Sequence, residues 1–230
     1  MRAAKEFVIG MIVFDGMTNL DFVAPEDVFW RLPDAKVLAL SRDGQPVVSD
    51  IGRTIAATHA FGDAGDLDLL FIGGGPGVNA LMEDSATLDF LCVKAERAQW
   101  ITSVCTGALV LGAAGLLRGY RAATHWAAME ALGILGAEPV HERVVFDRNH
   151  VTGGGVTAGL DFALAIAARL HGDRVGQTLQ LAMEYDPKPP FAGGSPDRAD
   201  PSITAGLRER LGPITQARID IARRAAAKFS

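Results

Sequence analysis

The sequence predicts an α/β domain built on a doubly wound, mostly parallel sheet with helices on both faces, flavodoxin-like in layout. Three observations carry that expectation. Short apolar runs rich in Val, Ile, Leu and Phe recur along the chain, each is followed by a helix-like stretch, and glycine-rich turns close several of the runs. Strands buried on both faces read as continuous apolar runs, and alternation with helices is the pattern of parallel βαβ units.

Taken in order, residues 7–14 read as a buried strand ended by Asp15-Gly16. Residues 20–32 are helix-like, with Pro25 expected in the first turn or at a kink because it brings no N–H to a helix. Residues 36–41 form a strand, and the Asp43-Gly44 turn leads to a β-like stretch through Val48 and residues 54–58. The next apolar run, 67–72, stops at Gly73-Gly74-Gly75-Pro76-Gly77. Ser85 is placed as the cap of a helix reaching Arg97, with Leu88, Leu91, Cys92 and Ala95 on one face. A strand over 100–104 passes directly into a helix over 106–117, and 125–135 is a further helix. Residues 143–146 and 150–152 read as a hairpin around Arg148-Asn149, followed by long periodic helices over 156–170 and 174–185. The chain therefore divides into an α/β domain over 1–185 and a different segment over 186–230. The latter starts as a Pro-, Gly- and Asp-rich arm and ends in a helix over 203–229 that carries Arg208, Arg210, Arg218, Arg223 and Arg224. Those arginines read as a solvated basic face, with docking onto a second subunit as the alternative.

The 230 residues are 49% hydrophobic and 21% charged with a net charge of −5, which favours a soluble globular protein over a nucleic-acid or membrane-surface role. No run is long and apolar enough to span a bilayer, and the polar residues 1–6 lead into no signal-peptide pattern. Cys92 and Cys105 are too few for a disulfide framework and suit a reducing cytoplasm. His59, His141, His150 and His171 have no metal-ligand spacing, so no zinc site is expected.

In doubly wound sheets, sites form at the carboxyl ends of strands, and the 73–77 loop, the 103–107 turn and the 153–155 loop all fall there. Ser103-Val104-Cys105-Thr106-Gly107 has the setting of a nucleophile elbow, with Ser103 in place of the usual first glycine and cysteine in place of serine. At a helix N-terminus the dipole and free N–H groups favour thiolate, the reactive form, so Cys105 is the candidate nucleophile rather than an inert buried thiol. Cys92, on an amphipathic helix without polar neighbours, is assigned to the core. Two residues are candidates to carry the proton: Asp21, at the carboxyl end of the first strand, and His125, in Thr124-His125-Trp126. Their plainer readings are a helix-start aspartate and a hydrogen-bonded core histidine, the latter favoured for His125. Gly75-Pro76-Gly77-Val78-Asn79-Ala80 and Gly153-Gly154-Gly155-Val156-Thr157-Ala158 formally fit G-x-G-x-x-A. Neither follows the first strand or has a clear acidic partner, so they read as tight turns whose N–H groups line the site.

Leu20-Asp21 with Pro25, Asp27 and Val28, then Phe71-Ile72-Gly73-Gly74-Gly75, Thr102-Ser103-Val104-Cys105-Thr106-Gly107 and Ala123-Thr124-His125-Trp126 together resemble the ThiJ/PfpI superfamily, with its glutamine-amidotransferase-like fold. The likeness covers nearly the whole chain. It tightens toward the isocyanide hydratases of that superfamily in three segments: Pro139-Val140-His141-Glu142-Arg143, Thr152 through Phe162, and Pro189-Pro190-Phe191 with Gly194-Ser195-Pro196-Asp197. The resemblance implies hydration of an isocyanide to an N-substituted formamide, with Cys105 as nucleophile, Asp21 as acid/base and Thr106 as an assisting hydroxyl. It implies further that Gly74, Gly75, Val156 and His125 line the substrate. It also implies a homodimer that needs neither metal nor organic cofactor. Two departures matter. Other members commonly carry glutamate where Asp21 stands, and PfpI-type proteases have histidine where Thr106 follows the cysteine, so an adjacent Cys-His protease dyad is absent. A glyoxalase or deglycase on the same fold remains open. So does the ligand-sensing half of an AraC-type regulator, although only 45 residues follow Tyr185, few for paired helix-turn-helix units. Oxidation of Cys105 is expected as a side property of a reactive thiolate.

Overall fold

The computed structural model describes residues 6–229; residues 1–5, where the leader was sought, and Ser230 lie outside it. β1 (Phe7–Ile12) is followed by α1 (Asn19–Phe29), β2 (Ala35–Ser41), the short strands β3 (Val47–Val48), β4 (Thr54–Ile55) and β5 (His59–Ala60), and then β6 (Leu69–Ile72). Next come α2 (Val78–Leu81), α3 (Ser85–Ala95), β7 (Trp100–Val104), α4 (Gly107–Ala113), β8 (Arg121–Ala122), α5 (Met129–Ile134), β9 (Glu138–Pro139), β10 (Val144–Asp147) and β11 (His150–Gly153). Three helices finish the chain: α6 (Ala158–His171), α7 (Asp173–Ala182) and α8 (Pro201–Ala226).

The main sheet has seven strands in the order β10-β11-β7-β6-β1-β2-β5, all parallel except β10, which pairs antiparallel with β11. The mostly parallel, doubly wound sheet expected from the apolar runs is therefore present. β6 and β7 are buried along almost all of their length, which is why they read as uninterrupted apolar runs. Helix α1 packs on α6 and α6 on α7, while α4 meets α2, α3, α5 and α8. Phe29 of α1, Phe71 of β6 and Phe162 of α6 meet with ring centroids 5.7 to 6.3 Å apart, so one aromatic cluster ties three site-bearing elements together.

Several local expectations are corrected. Asp84, not Ser85, caps α3, accepting from the Thr87 N–H, since either short polar side chain can serve and the chain enters one residue earlier. The helix after the cysteine ends at Ala113, and the 125–135 segment begins as a 3₁₀ turn over Trp126–Ala128 before α5. Pro25 lies in the second turn of α1 without ending it. A proline there leaves the carbonyl of Asp21, four residues back, without its helical partner. Cys92 is half-buried, with its Sγ 3.3 Å from the Ala114 carbonyl, and Asp89 and Glu96 add to burial in raising its thiol, so it does have polar neighbours.

The terminal segment also differs from its reading as a solvated basic face. Helix α8 packs against α5, the 126–128 turn, α4 and α2, burying Ile219, Ile221, Ala222 and Ala225. Arg208, Arg210, Arg223 and Arg224 remain exposed, but Arg218 is only 7% exposed. Its position explains this: 218, 221, 222 and 225 recur at helical spacing and share one face, so Arg218 is carried inward by the apolar residues around it. Among the described residues no helix is long and apolar enough to cross a membrane.

Candidate active site

Strand register sets the site. Ile72 lies beside Ser103 and Gly153 beside Val104, so the ends of β6, β7 and β11 bring the 73–77 loop, the cysteine turn and the 153–155 loop to one edge. Ile12 lies beside Ile72, which places the chain leaving β1 toward α1 at the same edge. The three glycine-bearing features and Asp21 converge there as the topology predicts.

Cys105 follows β7 with φ of 54°, in the left-handed region that non-glycine residues seldom occupy. Such a conformation costs of the order of 1–3 kcal/mol and persists where surrounding bonds hold it. Here they do: the Cys105 N–H donates to the carbonyls of Gly153 (3.1 Å) and Gly154 (2.8 Å), and the Thr124 hydroxyl donates to the Cys105 carbonyl at 2.8 Å. The turn into α4 also needs a residue without a side chain at 107, where a Cβ would lie 2.3 Å from the Ile72 carbonyl oxygen.

Asp21 is fully buried and accepts from the Gly74 N–H at 2.9 Å. Burial pushes its carboxyl up to about 6, against the lowering effects of that N–H and of the neighbouring Cys105 thiol; the charge of Asp50 adds to the rise, and the Asp21 Oδ1 has no hydrogen-bond partner among the described residues. Cys105 itself is 5% exposed. Burial first, and then the charge of Asp21, push its thiol up to about 12, although the N–H groups of Val156 and Thr106 donate to the sulfur and oppose the shift. The expected resting thiolate is thus overturned. Desolvation outweighs the dipole of a helix that is only seven residues long and begins two residues beyond the cysteine. At neutral pH the pair holds one proton, on sulfur, next to an ionised carboxylate.

Thr106 accepts the Gly75 N–H at 3.0 Å. A Cβ on Gly74 would lie 2.5 Å from the Thr106 nitrogen and 2.6 Å from its Oγ1, so the two segments approach as closely as backbone permits. The N–H groups of Gly74 and Gly75 are therefore committed to Asp21 and Thr106 rather than directed at a ligand. The donors at sulfur come from Thr106 and Val156 instead. His125 caps the 126–128 turn, its Nδ1 accepting from Ala127 at 3.3 Å, and its ring packs where a Cβ on Gly155 would stand 3.0 Å from Cδ2. Burial and then the charge of Arg218 lower the His125 imidazole, which keeps it neutral at pH 7. Beside the elbow lies a cavity of about 470 Å³ walled by Thr124, His125, Trp126, Val156 and, from the arm, Ser195 and Pro196; Cys105, Asp21, Gly74 and Gly75 are not in its wall. That volume suits a small organic ligand. Among the described residues no three His, Cys, Asp or Glu side chains converge as metal ligands would.

Sequence reasoning missed Thr124 and Arg218. The latter had a signal, an arginine at the spacing of an apolar stripe. Thr124 had none, since its role depends on where the Cys105 carbonyl points.

The model of the DJ-1/PfpI family matches residues 8–169. An isonitrile hydratase from Pseudomonas putida is 48% identical over 222 residues, which covers 96% of this chain and 97% of that protein. The crystal structure of a THiJ/PfpI family protein from Pseudomonas syringae superposes with a TM-score of 0.92 at 43% identity, over 94% of this chain and 90% of that one. The HTH-type transcriptional regulator GbdR of Pseudomonas aeruginosa is 29% identical over 64% of this chain, but only 40% of the regulator is matched.

Proposed function

We infer that this chain, which belongs to the DJ-1/PfpI family, is an isocyanide (isonitrile) hydratase that converts an isocyanide and water to an N-substituted formamide. The end-to-end match to the Pseudomonas putida isonitrile hydratase carries this reading. The regulator's match, at 29% identity over 64% of this chain, favours a sensor domain less than the hydratase match at 48% over 96% favours the enzyme.

The Asp21–Cys105 pair suits the chemistry. The Asp21 carboxylate takes the thiol proton as sulfur attacks the terminal isocyanide carbon, forming the C–S bond and leaving an electron pair on that carbon. The protonated Asp21 returns the proton to the same carbon, giving a thioimidate, R–N=CH–S, on Cys105. Water then adds to this carbon while Asp21 takes one of its protons and passes it to nitrogen. Collapse forms the formamide carbonyl, breaks the C–S bond and returns the hydroxyl proton to sulfur through Asp21. The N–H groups of Thr106 and Val156 at sulfur stabilise the thiolate as it leaves. Thr106 orients the Gly75 turn with its hydroxyl oxygen, while Gly74 holds Asp21. Val156 and His125 line the cavity that takes the substituent on nitrogen. No step calls on a metal or an organic cofactor.

The decisive assay supplies purified protein with cyclohexyl isocyanide and, separately, with methylglyoxal. Formamide release, lost in Cys105→Ala with a substrate-mass adduct trapped on Cys105 of the wild type, is expected. Formamide production that survives Cys105→Ala, or turnover of methylglyoxal alone, overturns the reading. We further read residues 1–185 as the catalytic domain, with 186–230 as arm and closing helix, in a homodimer. Exposed Leu181, Phe191 and Ile203 on or beside the arm support that assembly, and two unpaired cysteines suit a reducing cytoplasm.

A further inference from the structure

We propose that Arg218 of helix α8 is a positioning residue for this reaction: it pins the 73–77 turn against the elbow and lends positive charge to Cys105 as the thiol becomes thiolate. Its Nη2 donates to the Gly75 carbonyl at 3.3 Å and its Nε to the Asn79 side-chain oxygen at 3.2 Å. Gly75 is thereby held from both sides, since its N–H is on the Thr106 hydroxyl. The turn needs such holding. Gly75 has φ of 140°, and a Cβ there would stand 2.5 Å from the Gly16 carbonyl oxygen.

The charge is the unusual part. An arginine that is 7% exposed is ordinarily matched by a carboxylate. Among the described residues, Arg218 takes part in no ion pair. Glu83, the carboxylate just after α2, is held by Arg224 at 2.8 Å. Of the other elements packed against α8, α5 carries Glu130 and the 227–229 turn carries Lys228, while α2, α4 and the 126–128 turn carry no Asp, Glu, Lys or Arg. Arg218 is thus held by neutral acceptors alone, and its field falls on site residues: it adds to burial in lowering His125, and although burial lowers the Arg218 guanidinium overall, the negative charge of a Cys105 thiolate acts against that lowering. Interaction between two charges is reciprocal, so the same guanidinium favours the thiolate. Asp21 has to remove a proton from a thiol that burial has made a weak acid, and a fixed cation nearby eases that transfer without itself titrating.

The proposal concerns how the hydration reading works, but its test needs no isocyanide. Alkylation of Cys105 by iodoacetamide, located by mass spectrometry, is followed from pH 7 to 9 in the wild type, Arg218→Met, Arg218→Lys and Asn79→Asp. Arg218→Met is expected to alkylate about tenfold more slowly at each pH, equivalent to one unit of thiol pKa. Arg218→Lys, which keeps the charge, should recover most of that rate. Asn79→Asp leaves Arg218 in place but sets a carboxylate against it, and should slow alkylation like the loss of the charge. Wild-type rates in a folded Arg218→Met, or in Asn79→Asp if the methionine variant does not fold, overturn the proposal. So does a lysine variant as slow as the methionine one. If the wild type makes no formamide yet the alkylation shifts appear, the function reading fails and the role of Arg218 at Cys105 stands.

Discussion

Burial acts in the same direction on both partners of the proton transfer, raising each, but the consequences are opposite. For Asp21 a rise to about 6 leaves it ionised at neutral pH and close to the range where it both takes and returns a proton. For Cys105 a rise to about 12 keeps the thiol protonated until a substrate arrives. The base is therefore ready and the nucleophile is not. The rate kcat/KM is expected to fall as pH drops through about 6, when Asp21 becomes protonated, and Asp21→Asn should lose at least ~10²-fold in kcat while removing that inflection. The same shift bears on stability. Between the ordinary value of 3.8 and about 6 the folded state binds the Asp21 proton while the unfolded state releases it. Stability due to Asp21 is thus greatest below this window and falls as pH rises through it, by about 3 kcal/mol in all. Urea unfolding at pH 5 and pH 8 should show the wild type losing stability relative to Asp21→Asn. An unchanged difference between the two proteins would contradict the raised carboxyl.

Among the elements, the glycine turns decide how closely strand ends and helix starts can meet. Gly107 is one of the tightest cases, so Gly107→Ala should force α4 away from β6 and cost about 1–3 kcal/mol, seen as a lower urea midpoint together with reduced kcat. These turns were legible in the sequence, as were β6, β7 and the elbow, because apolar runs and glycine clusters are local signals. Asp21 was legible as a candidate because it follows the first strand. The resting state of Cys105 was not, since a helix dipole can be read locally while desolvation comes from α1, β11 and the segment before α6 closing around it. Arg218 was hidden by its residue type. Counting charge along 203–229 suggests solvent, whereas the spacing 218-221-222-225 places it on the buried face. Ser85 against Asp84 was a matter of one residue, and two adjacent capping side chains do not decide it locally.

At the scale of the whole molecule, the proposed homodimer predicts sedimentation at twice the 24.3 kDa chain mass, and Phe191→Asp, on the exposed arm, should shift it toward the monomer. A wild-type protein sedimenting as a 24.3 kDa species would remove that assembly. The order in which the site is written along the chain has its own result. The carboxylate comes at 21 and the thiol at 105, but the guanidinium that holds the Gly75 turn between them comes at 218, beyond the arm, so nearly all of the polypeptide must leave the ribosome before the site acquires its charge. A nascent chain paused short of α8 carries every reacting atom and still lacks that charge. On the proposed role of Arg218, an unfinished copy is therefore also a poorly reactive one.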